Sequence, residues 1–175
     1  MIKTLESRLL HEGRHFSFST DVVELPSGRR TRRDIVSHPG AVAIVPVLPG
    51  ARLVLVRQYR YAAGRSLLEL PAGTLEPGEE PLACARRELR EETGYEAGEM
   101  RRLLSCFMAP GYSSEVIHFF KASGLRYAGD DLEPDEEIET EALDVDEVHK
   151  LIEENVIEDA KTIIGILSTF PQAKA

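Results

Sequence analysis

Cysteine is scarce in this chain of 175 residues, which contains only Cys84 and Cys106. Small secreted domains that depend on disulfides carry many more cysteines. Neither cysteine belongs to a CxxC pair or has a histidine at the spacing of a zinc site. The sequence therefore argues against a disulfide scaffold and favours a reducing compartment.

Basic residues are also few, with 21 Lys and Arg against 30 Asp and Glu and a formal net charge of -9. Sequence-independent binding to duplex nucleic acid needs a basic face, because the phosphate backbone supplies most of the attraction. We therefore predict that no nucleic-acid polymer is a partner.

Long hydrophobic runs are missing as well, since no apolar stretch approaches the roughly 20 residues that span a bilayer. The first residues, MIKTLESRLLHEGRHF, lack the apolar core and the small-residue cleavage site of a secretory signal. We therefore expect a soluble, cytoplasmic protein without a membrane partner.

The hydrophobic content of 42% is enough for one compact domain, or for one domain with an appended lobe. Residues 7–37 alternate around the turn-like segment LPSGRR, which predicts two strands joined by a hairpin. Ala41–Leu48 is almost wholly apolar, as in a strand covered on both faces, whereas Arg52–Arg60 alternates. We predict a small β lobe at residues 1–40 and a main domain at residues 41–175.

The rest of the chain mixes helices and strands. A loop between Pro71 and Gly78 is followed by a predicted helix from Glu80 to Thr93, with Gly94 as its C-cap. The remaining predicted elements are strands at Arg101–Met108 and Glu115–Ala122, an acidic loop at Asp130–Glu141, and helices at about Val145–Glu154 and Asp159–Phe170.

Three glutamates, Glu88, Glu91 and Glu92, share one edge of the predicted helix. At about 100° per residue they fall within a wedge about 100° wide. Beside them lies an apolar stripe that we expect to be buried, made of Leu82, Ala85 and Leu89. Acidic pairs one turn apart destabilise a helix by a few tenths of a kcal/mol, and a hard divalent cation bound to substrate phosphates would offset that repulsion. The cluster predicts a metal site.

Two further residues fit a supporting role around this cluster. Arg87 lies one turn before Glu91 and can brace it, and Glu79 can approach Arg87 from the loop and fix its direction. A solvated acidic helix face is the alternative interpretation of such a run. It becomes the weaker one because seven identities at fixed offsets arise by chance on the order of 10⁻⁵ per chain.

Residues 73–95, GTLEPGEEPLACARRELREETGY, resemble the Nudix box. The box runs glycine, five residues, glutamate, seven residues, then Arg-Glu-apolar-any-Glu-Glu-any-Gly-apolar, and only Tyr95 departs from it, at the final aliphatic position. The order of elements around it is similar to the Nudix α/β/α sandwich. The resemblance implies an α/β fold with a mixed central sheet, preceded by the small antiparallel β lobe, and an enzyme that hydrolyses a diphosphate linked to another moiety.

The same resemblance implies the metal and its ligands. Nudix hydrolases use Mg²⁺ or Mn²⁺, which here would be held by Glu88, Glu91 and Glu92. It also implies that the carbonyl oxygen of Ala72 or Gly73 adds a ligand. Glu92 counts among the catalytic residues, because an amide in its place would be a poor ligand for a hard metal.

Features outside the box are similar to the ADP-ribose pyrophosphatase subgroup. Pro110 stands 16 residues after Gly94, where a proline marks ADP-sugar hydrolases, and the segments VRQYR, LLELPAG, APGYSSE and DAKTIIGIL look like that subgroup. This resemblance implies that ADP-ribose is cleaved to AMP and ribose 5-phosphate by an intertwined homodimer to which residues 1–40 contribute. The alternatives are hydrolysis of another nucleotide sugar, such as GDP-mannose, and a non-catalytic module that senses a nucleotide.

Five residues outside the box are candidates for substrate binding or proton transfer by the same resemblance. Arg33 and Arg60 match positions that contact substrate phosphates, and arginine suits a diphosphate because its planar fork donates to two oxygens. Glu115 resembles an acidic residue of the subgroup's site. In the loop DDLEPDEEIE, Glu136 and Glu137 are equal candidates for the general base. The alternative for all five is an exposed charge.

The histidines, among them His15, are scattered without ligand spacing, so we predict surface or structural roles for them. Cys84 has no basic neighbour within obvious reach in the sequence. We therefore predict that it is a small packing residue.

Overall fold

Two β-sheets organise the computed structural model, which describes residues 1–129 and 138–172. A three-stranded sheet comes from the N-terminal residues, and a seven-stranded sheet forms the centre of the molecule. The described strands are β1 (Lys3–Glu12), β2 (Ser17–Glu24), β3 (Arg30–Ser37), β4 (Ala41–Leu48), β5 (Arg52–Arg60), β6 (Arg65–Glu69), β7 (Ala72–Thr74), β8 (Tyr95–Phe107), β9 (Val116–Tyr127) and β10 (Ile138–Asp144). The described α-helices are α1 (Pro81–Thr93), α2 (Val145–Glu153) and α3 (Ala160–Thr169), and Tyr61–Ala63 forms a 3₁₀ turn.

The N-terminal sheet is antiparallel, in the order β1-β2-β3. The predicted hairpin corresponds to β2 and β3, whose turn is closed by the hydrogen bond from the Leu25 amide to the Arg29 carbonyl, 2.9 Å. The prediction of two strands missed β1, because that strand is exposed along nearly its whole length and shows no apolar alternation. Val23 is the one buried residue of the three strands.

The central sheet is mixed, as predicted. Its strands follow the order β10-β5-β4-β9-β8, with β6 paired to β5 and β7 paired to β4. The pair β4 and β9 is parallel, whereas the other described pairs are antiparallel. This order places β4 at the centre, where a strand that is apolar on both faces is stabilised by the layers that cover it.

Helices cover both faces of this sheet. On one face, α1 packs Ala85 and Leu89 against Val42 and Ile44 of β4. On the other face, the buried side chains come from β4, β5, β6, α2 and α3, and they include Val45, Leu53, Leu68, Val148 and Ile166. The predicted α/β/α sandwich with an N-terminal antiparallel sheet is confirmed.

Helix α1 ends where the sequence predicts and begins one residue later than predicted, at Pro81. Pro81 occupies the first helical position, which tolerates the missing amide hydrogen. Gly94 ends the helix with φ of 70°, and its amide donates to the Arg90 carbonyl, 2.9 Å. A Cβ atom on Gly94 would lie 2.7 Å from the ring of Tyr127, so both the backbone angle and the neighbour require glycine. Leu82 was expected in the buried stripe, but it is 44% exposed.

Several strand predictions need correction. β5 does not alternate, because residues 53–56 are all buried between the two helical layers. β8 begins at Tyr95 and β9 continues to Tyr127, both beyond the predicted limits, because these residues pair with each other across the sheet. β7, within the predicted loop, pairs with β4.

The predicted acidic loop at 130–141 is also too long. Ile138–Glu141 belong to β10, which pairs with β5 in register from Ile138 opposite Gln58 to Asp144 opposite Arg52. The helices α2 and α3 agree with the prediction to within one residue at each end. Of the helices in the described ranges, none is long and apolar enough to cross a membrane.

Candidate active site

A cleft of about 560 Å³ lies beside the acidic edge of α1. Glu88, Glu91 and Glu92 line it together with Gly73 of β7, and Arg60 at the end of β5 lines the same cleft. The structure therefore brings the predicted carboxylates and one predicted phosphate-binding arginine into one cavity. This convergence depends on the sheet, because β5 and β7 both pair with β4, against which α1 packs.

The glycine that opens the acidic motif is required by space. A Cβ atom on Gly73 would lie 1.8 Å from the carboxyl group of Glu88, a distance at which the two groups would overlap. The absence of a side chain therefore lets the Glu88 carboxylate lie directly against the backbone of β7.

Arg87 connects the acidic residues of the motif. Its Nε and Nη2 atoms donate to the two carboxylate oxygens of Glu79, 3.0 Å each. Its Nη1 atom donates to Glu88, 2.7 Å, and to Glu91, 2.9 Å. The Glu79 interaction has the two-point geometry in which a guanidinium and a carboxylate bind most strongly. The predicted supporting roles of Glu79 and Arg87 correspond to these contacts.

The ion pair shifts the pKa of both partners. Hydrogen bonds from Arg87 lower the pKa of Glu79 from 4.5 to about 2, although partial burial opposes that shift. Hydrogen bonding to Glu79 raises the pKa of Arg87 well above its usual value. Both groups therefore stay charged at neutral pH, and the orientation of the Arg87 guanidinium is fixed.

Glu92 is anchored by the backbone. The amide of Ala72 donates to Oε2 of Glu92, 2.9 Å, and Glu92 is only 5% exposed. Ala72 is held in turn by its pairing with Ala43 of β4. Two predicted ligand positions, Ala72 and Glu92, therefore lie in direct contact at the edge of the cleft.

The donor set fits a hard divalent cation. Glu88, Glu91 and Glu92 line the cleft with carboxylate oxygens, which are the ligands that Mg²⁺ prefers. Within residues 1–129 and 138–172, no three acidic, histidine or cysteine side chains converge closely enough to hold a metal ion as they stand. In the described arrangement, Glu88 and Glu91 both accept hydrogen bonds from the Nη1 atom of Arg87.

Arg60 is fixed by a buried partner that the sequence did not reveal. Its Nε and Nη2 atoms donate to the two oxygens of Glu69, 2.8 and 2.7 Å. Glu69 is 1% exposed. Burial opposes its ionisation, but hydrogen bonds and charges of Arg60 and Lys161 outweigh that effect and lower the pKa of Glu69. Among the described residues, Nη1 of Arg60 donates no hydrogen bond.

The N-terminus of α3 completes this charged group. Asp159 caps the helix by accepting hydrogen bonds from the Thr162 amide, 2.9 Å, and from the Thr162 hydroxyl, 2.6 Å. Lys161 contacts both Asp159 and Glu69. The prediction missed Glu69, Asp159 and Lys161 as site residues. The segments LLELPAG and DAKTIIGIL contain them and were the available signal.

A second cavity of about 320 Å³ adjoins the cleft, and both are lined by Arg60, Ala72 and Gly73. Glu115, which was predicted for substrate binding, lines this second cavity together with Lys161. The structure therefore brings Glu115 next to the cleft.

The turn between β1 and β2 supplies two cleft residues that the sequence did not predict. Arg14 and His15 line the cleft beside the carboxylates. Sequence reasoning assigned His15 a surface or structural role, and no motif marks either residue. The N-terminal sheet and the main domain thus meet at the cleft.

The remaining predicted site residues lie elsewhere. Arg33 is exposed on β3 and donates to the Arg32 carbonyl, 3.0 Å, and it is not among the described residues that line either cavity. Glu136 and Glu137 lie outside the described residues. For Arg33, Glu136 and Glu137 the assigned roles stay predictions.

Cys84 is a packing residue, but its surroundings differ from the prediction. It lies on the buried side of α1 and is fully buried in the core between that helix and the central sheet. It does have a basic neighbour, since Nη2 of Arg87 donates to its Sγ atom, 3.4 Å. Burial and the charge of Glu88 nevertheless raise the pKa of the Cys84 thiol to about 12.

Comparison with known proteins identifies relatives along most of the chain. The NUDIX domain family matches residues 37–164. A methanol dehydrogenase activator of Bacillus methanolicus is 42% identical over 94% of this chain and 90% of its own. An ADP-ribose pyrophosphatase of Bacillus subtilis is 37% identical over the same shares. A GDP-mannose pyrophosphatase of Citrobacter koseri is 41% identical over 77% of this chain and 79% of its own.

A solved structure supports the same assignment at the level of the fold. A crystal structure of an ADP compounds hydrolase superposes with a TM-score of 0.84, at 23% identity, over 96% of this chain and 91% of the other. Nudix hydrolases generally depend on a divalent metal, which agrees with the oxygen-rich donor set of the cleft. The match across residues 37–164 and the relatives that align with most of the chain show that this protein belongs to the Nudix hydrolase family.

Proposed function

We propose that this protein hydrolyses the diphosphate of ADP-ribose and releases AMP and ribose 5-phosphate. The observation that carries the proposal is the convergence, in one cleft, of three α1 carboxylates with a fixed arginine. Carboxylates suit a divalent cation and the arginine suits a phosphate oxygen, so the pair matches the two components of a metal-bound diphosphate.

The metal would be held by Glu88, Glu91 and Glu92, with a carbonyl oxygen from Ala72 or Gly73. When bound, Mg²⁺ or Mn²⁺ supplies neutralisation of phosphate charge and a lower pKa for water. The chain's own contribution is to hold these oxygens in place. Arg87 braces Glu88 and Glu91, and the Ala72 amide orients Glu92.

The diphosphate would contact Arg60. Two of its nitrogens are committed to Glu69, which leaves Nη1 as a donor on a side chain that is 39% exposed. A guanidinium held in this way loses little conformational entropy when it binds a phosphate oxygen. Glu115, in the adjoining cavity, would accept hydrogen bonds from hydroxyl groups of the substrate.

The general base would be Glu136 or Glu137. What supports this assignment is that the described strand β10 begins at Ile138, opposite Gln58 of β5. Gln58 lines the cleft, so both glutamates lie within two residues of a position paired with the cleft wall. A carboxylate there could accept the proton of the attacking water.

We also propose a homodimer formed through the lobe of residues 1–40. Three strands that bury one residue among them cannot be stable on their own. Leu9, Leu10 and Phe16 are exposed on this lobe and would be covered by a second copy. Arg33 lies on the same lobe. Its predicted contact with substrate is therefore part of the dimer proposal.

The two free cysteines are consistent with a cytoplasmic location.

The choice of ADP-ribose over other nucleotide sugars is supported by the name of the Bacillus subtilis relative and by Pro110 at its offset. GDP-mannose is the alternative substrate, and the Citrobacter koseri relative favours it. A second candidate function is a nucleotide-sensing module that regulates a partner enzyme, which the name of the Bacillus methanolicus relative favours. The intact set of Glu88, Glu91 and Glu92 argues that such a module would still be catalytic.

A substrate panel tests the proposal. ADP-ribose, ADP-glucose and GDP-mannose are incubated with the protein and Mg²⁺, Mn²⁺ or EDTA, and the products are separated by chromatography. We expect AMP and ribose 5-phosphate from ADP-ribose with either metal and no product with EDTA. Faster turnover of GDP-mannose would overturn the substrate assignment, and no metal-dependent turnover of any diphosphate would overturn the enzymatic function.

A further inference from the structure

Glu69 is a buried carboxylate that forms ion pairs with two cationic side chains, those of Arg60 and Lys161. Arg60 alone donates to both of its oxygens, so the charge of Glu69 would be matched without a second cation. Lys161 nevertheless contacts the same Oε2 atom, and its side chain is only 12% exposed. Burying a second cation is costly, and Lys161 offsets that cost by pairing with Asp159 as well as with Glu69. The lysine therefore does more than neutralise Glu69.

Lys161 links two elements that frame the cleft. Its ammonium group bridges Glu69, the last residue of β6, and Asp159, the cap of α3. A second link lies beside it, where the Leu70 amide donates to the Thr162 hydroxyl, 2.8 Å. Leu70 is two residues before Ala72, which orients Glu92. The start of α3 therefore holds the segment that contacts both Arg60, through Glu69, and the proposed metal ligand Glu92, through Ala72.

The geometry also shows what the second cation changes for Arg60. With Lys161 on Oε2, Glu69 is attached to α3 and cannot follow the arginine if Arg60 moves. Arg60 then stays in one position. Its Nε and Nη2 atoms face Glu69, and its Nη1 atom remains as a donor for another acceptor. Without Lys161, Arg60 would be the cation left beside both Glu69 and Asp159, and the combined negative charge of the two carboxylates would draw Arg60 inward and away from the cleft.

We propose that Lys161 is a positioning residue for substrate binding, which acts by holding Glu69 so that Arg60 presents its free donor to the substrate diphosphate. The inference rests on the proposed function for the choice of substrate and for the contact between Arg60 and the diphosphate. Lys161 also lines the adjoining cavity, so a direct contact with substrate is the competing explanation. The two explanations predict different behaviour when Arg60 is removed.

A double-mutant cycle separates them. Lys161→Met, Arg60→Met and the double variant are compared with the wild type in kcat and KM, using whichever nucleotide sugar the panel shows to be turned over. A charge-assisted hydrogen bond of roughly 1.5–3 kcal/mol corresponds to about 10- to 100-fold in affinity. We expect Lys161→Met to raise KM about 10-fold with kcat within about twofold, and to change KM less than about twofold when it is added to Arg60→Met.

Three controls keep the test sharp. Lys161→Arg keeps the charge and can still donate a charge-assisted hydrogen bond to Glu69. Its KM should therefore lie within about threefold of the wild-type value. Lys150→Met removes a lysine that is 70% exposed on α2 and should leave KM unchanged. Thermal melting reports whether each variant folds. Lys161→Ala, which also removes the donor to Glu69, replaces Lys161→Met if that variant melts below the assay temperature.

The proposal is overturned if Lys161→Met causes the same loss in the wild type and in the Arg60→Met variant, because the lysine would then act on substrate directly. It is also overturned if kcat falls and KM does not, or if neither changes. A wild type that turns over no diphosphate would instead contradict the proposed function. In that case the same cycle is read from the Kd of ADP-ribose by calorimetry.

Discussion

Arg87 donates two parallel hydrogen bonds to Glu79, from Nε and from Nη2, each of 3.0 Å. The pair joins the loop before α1 to the second turn of that helix. Because the same guanidinium also reaches Glu88 and Glu91, the loop carboxylate helps to determine where these two proposed metal ligands are held. The stability of this pair and the geometry of the cleft are therefore coupled.

Glu79→Gln should destabilise the metal-free protein at pH 7, with a Tm lower by roughly 3 °C for about 1 kcal/mol in a chain of this size. The pKa of Glu79 is lowered from 4.5 to about 2. Its contribution is therefore present above pH 4.5 and is lost as the pH falls through about 2. Calorimetry in EDTA from pH 7 to pH 3 should show the difference from the wild type narrowing below pH 4.5. An equal difference at every pH would contradict this account, and Glu99→Gln, at an exposed position of β8, provides the control.

Gly73→Ala should reduce turnover far more than stability. The added Cβ would lie 1.8 Å from the Glu88 carboxyl group, which is the end of a flexible side chain and can move at a cost of about 1–3 kcal/mol. That movement takes a proposed metal ligand out of place, and a displacement of about 1 Å can lower the rate about 100-fold. The measurement is kcat/KM together with Tm.

The matched control for that variant is Gly111→Ala, since a Cβ atom at position 111 would meet nothing within 4 Å. It should keep both the Tm and the turnover of the wild type. If Gly73→Ala retained the wild-type kcat/KM, turnover would not depend on the position of the Glu88 carboxylate against β7, which would contradict this account.

Cys84 should resist thiol reagents in the folded protein. It is fully buried, and the pKa of its thiol is raised to about 12, so the thiolate is only about 10⁻⁴ of the population at pH 8. Titration with a disulfide reagent at pH 8 should modify Cys106, which is partly exposed, well before Cys84. Cys106→Ser isolates the buried thiol, and rapid modification of that variant under native conditions would contradict the result.

Local rules predicted the parts of the site that are close together in the sequence. Pro81 and Gly94 mark the ends of α1 because their backbones restrict or permit particular angles. The helical period then places Glu88, Glu91 and Glu92 on one edge. The same rules failed for Leu82, because the extent of burial depends on what packs against the helix.

The contacts that position Arg60 could not be predicted in this way. Glu69 and Lys161 are 92 residues apart, and only the pairing of β6 with β5 and the packing of α3 on the sheet bring them together. Arg14 and His15 line the cleft from the turn after β1. Because β1 is exposed along nearly its whole length, its sequence shows no alternation of apolar and polar residues from which its position could be predicted. β10 was missed because acidic residues obscured its alternation, whereas its pairing with β5 is a property of the sheet.

The most direct test of the central claim is a titration of the metal-free protein with Mn²⁺, followed by electron paramagnetic resonance of the free ion. The account predicts that the wild type and Glu99→Gln take up Mn²⁺ with the same Kd and that Glu92→Gln weakens uptake at least 10-fold while its Tm is retained, since an amide is a poor ligand for a hard cation. Equal uptake by Glu92→Gln and the wild type would contradict the assignment of the metal to the acidic edge of α1.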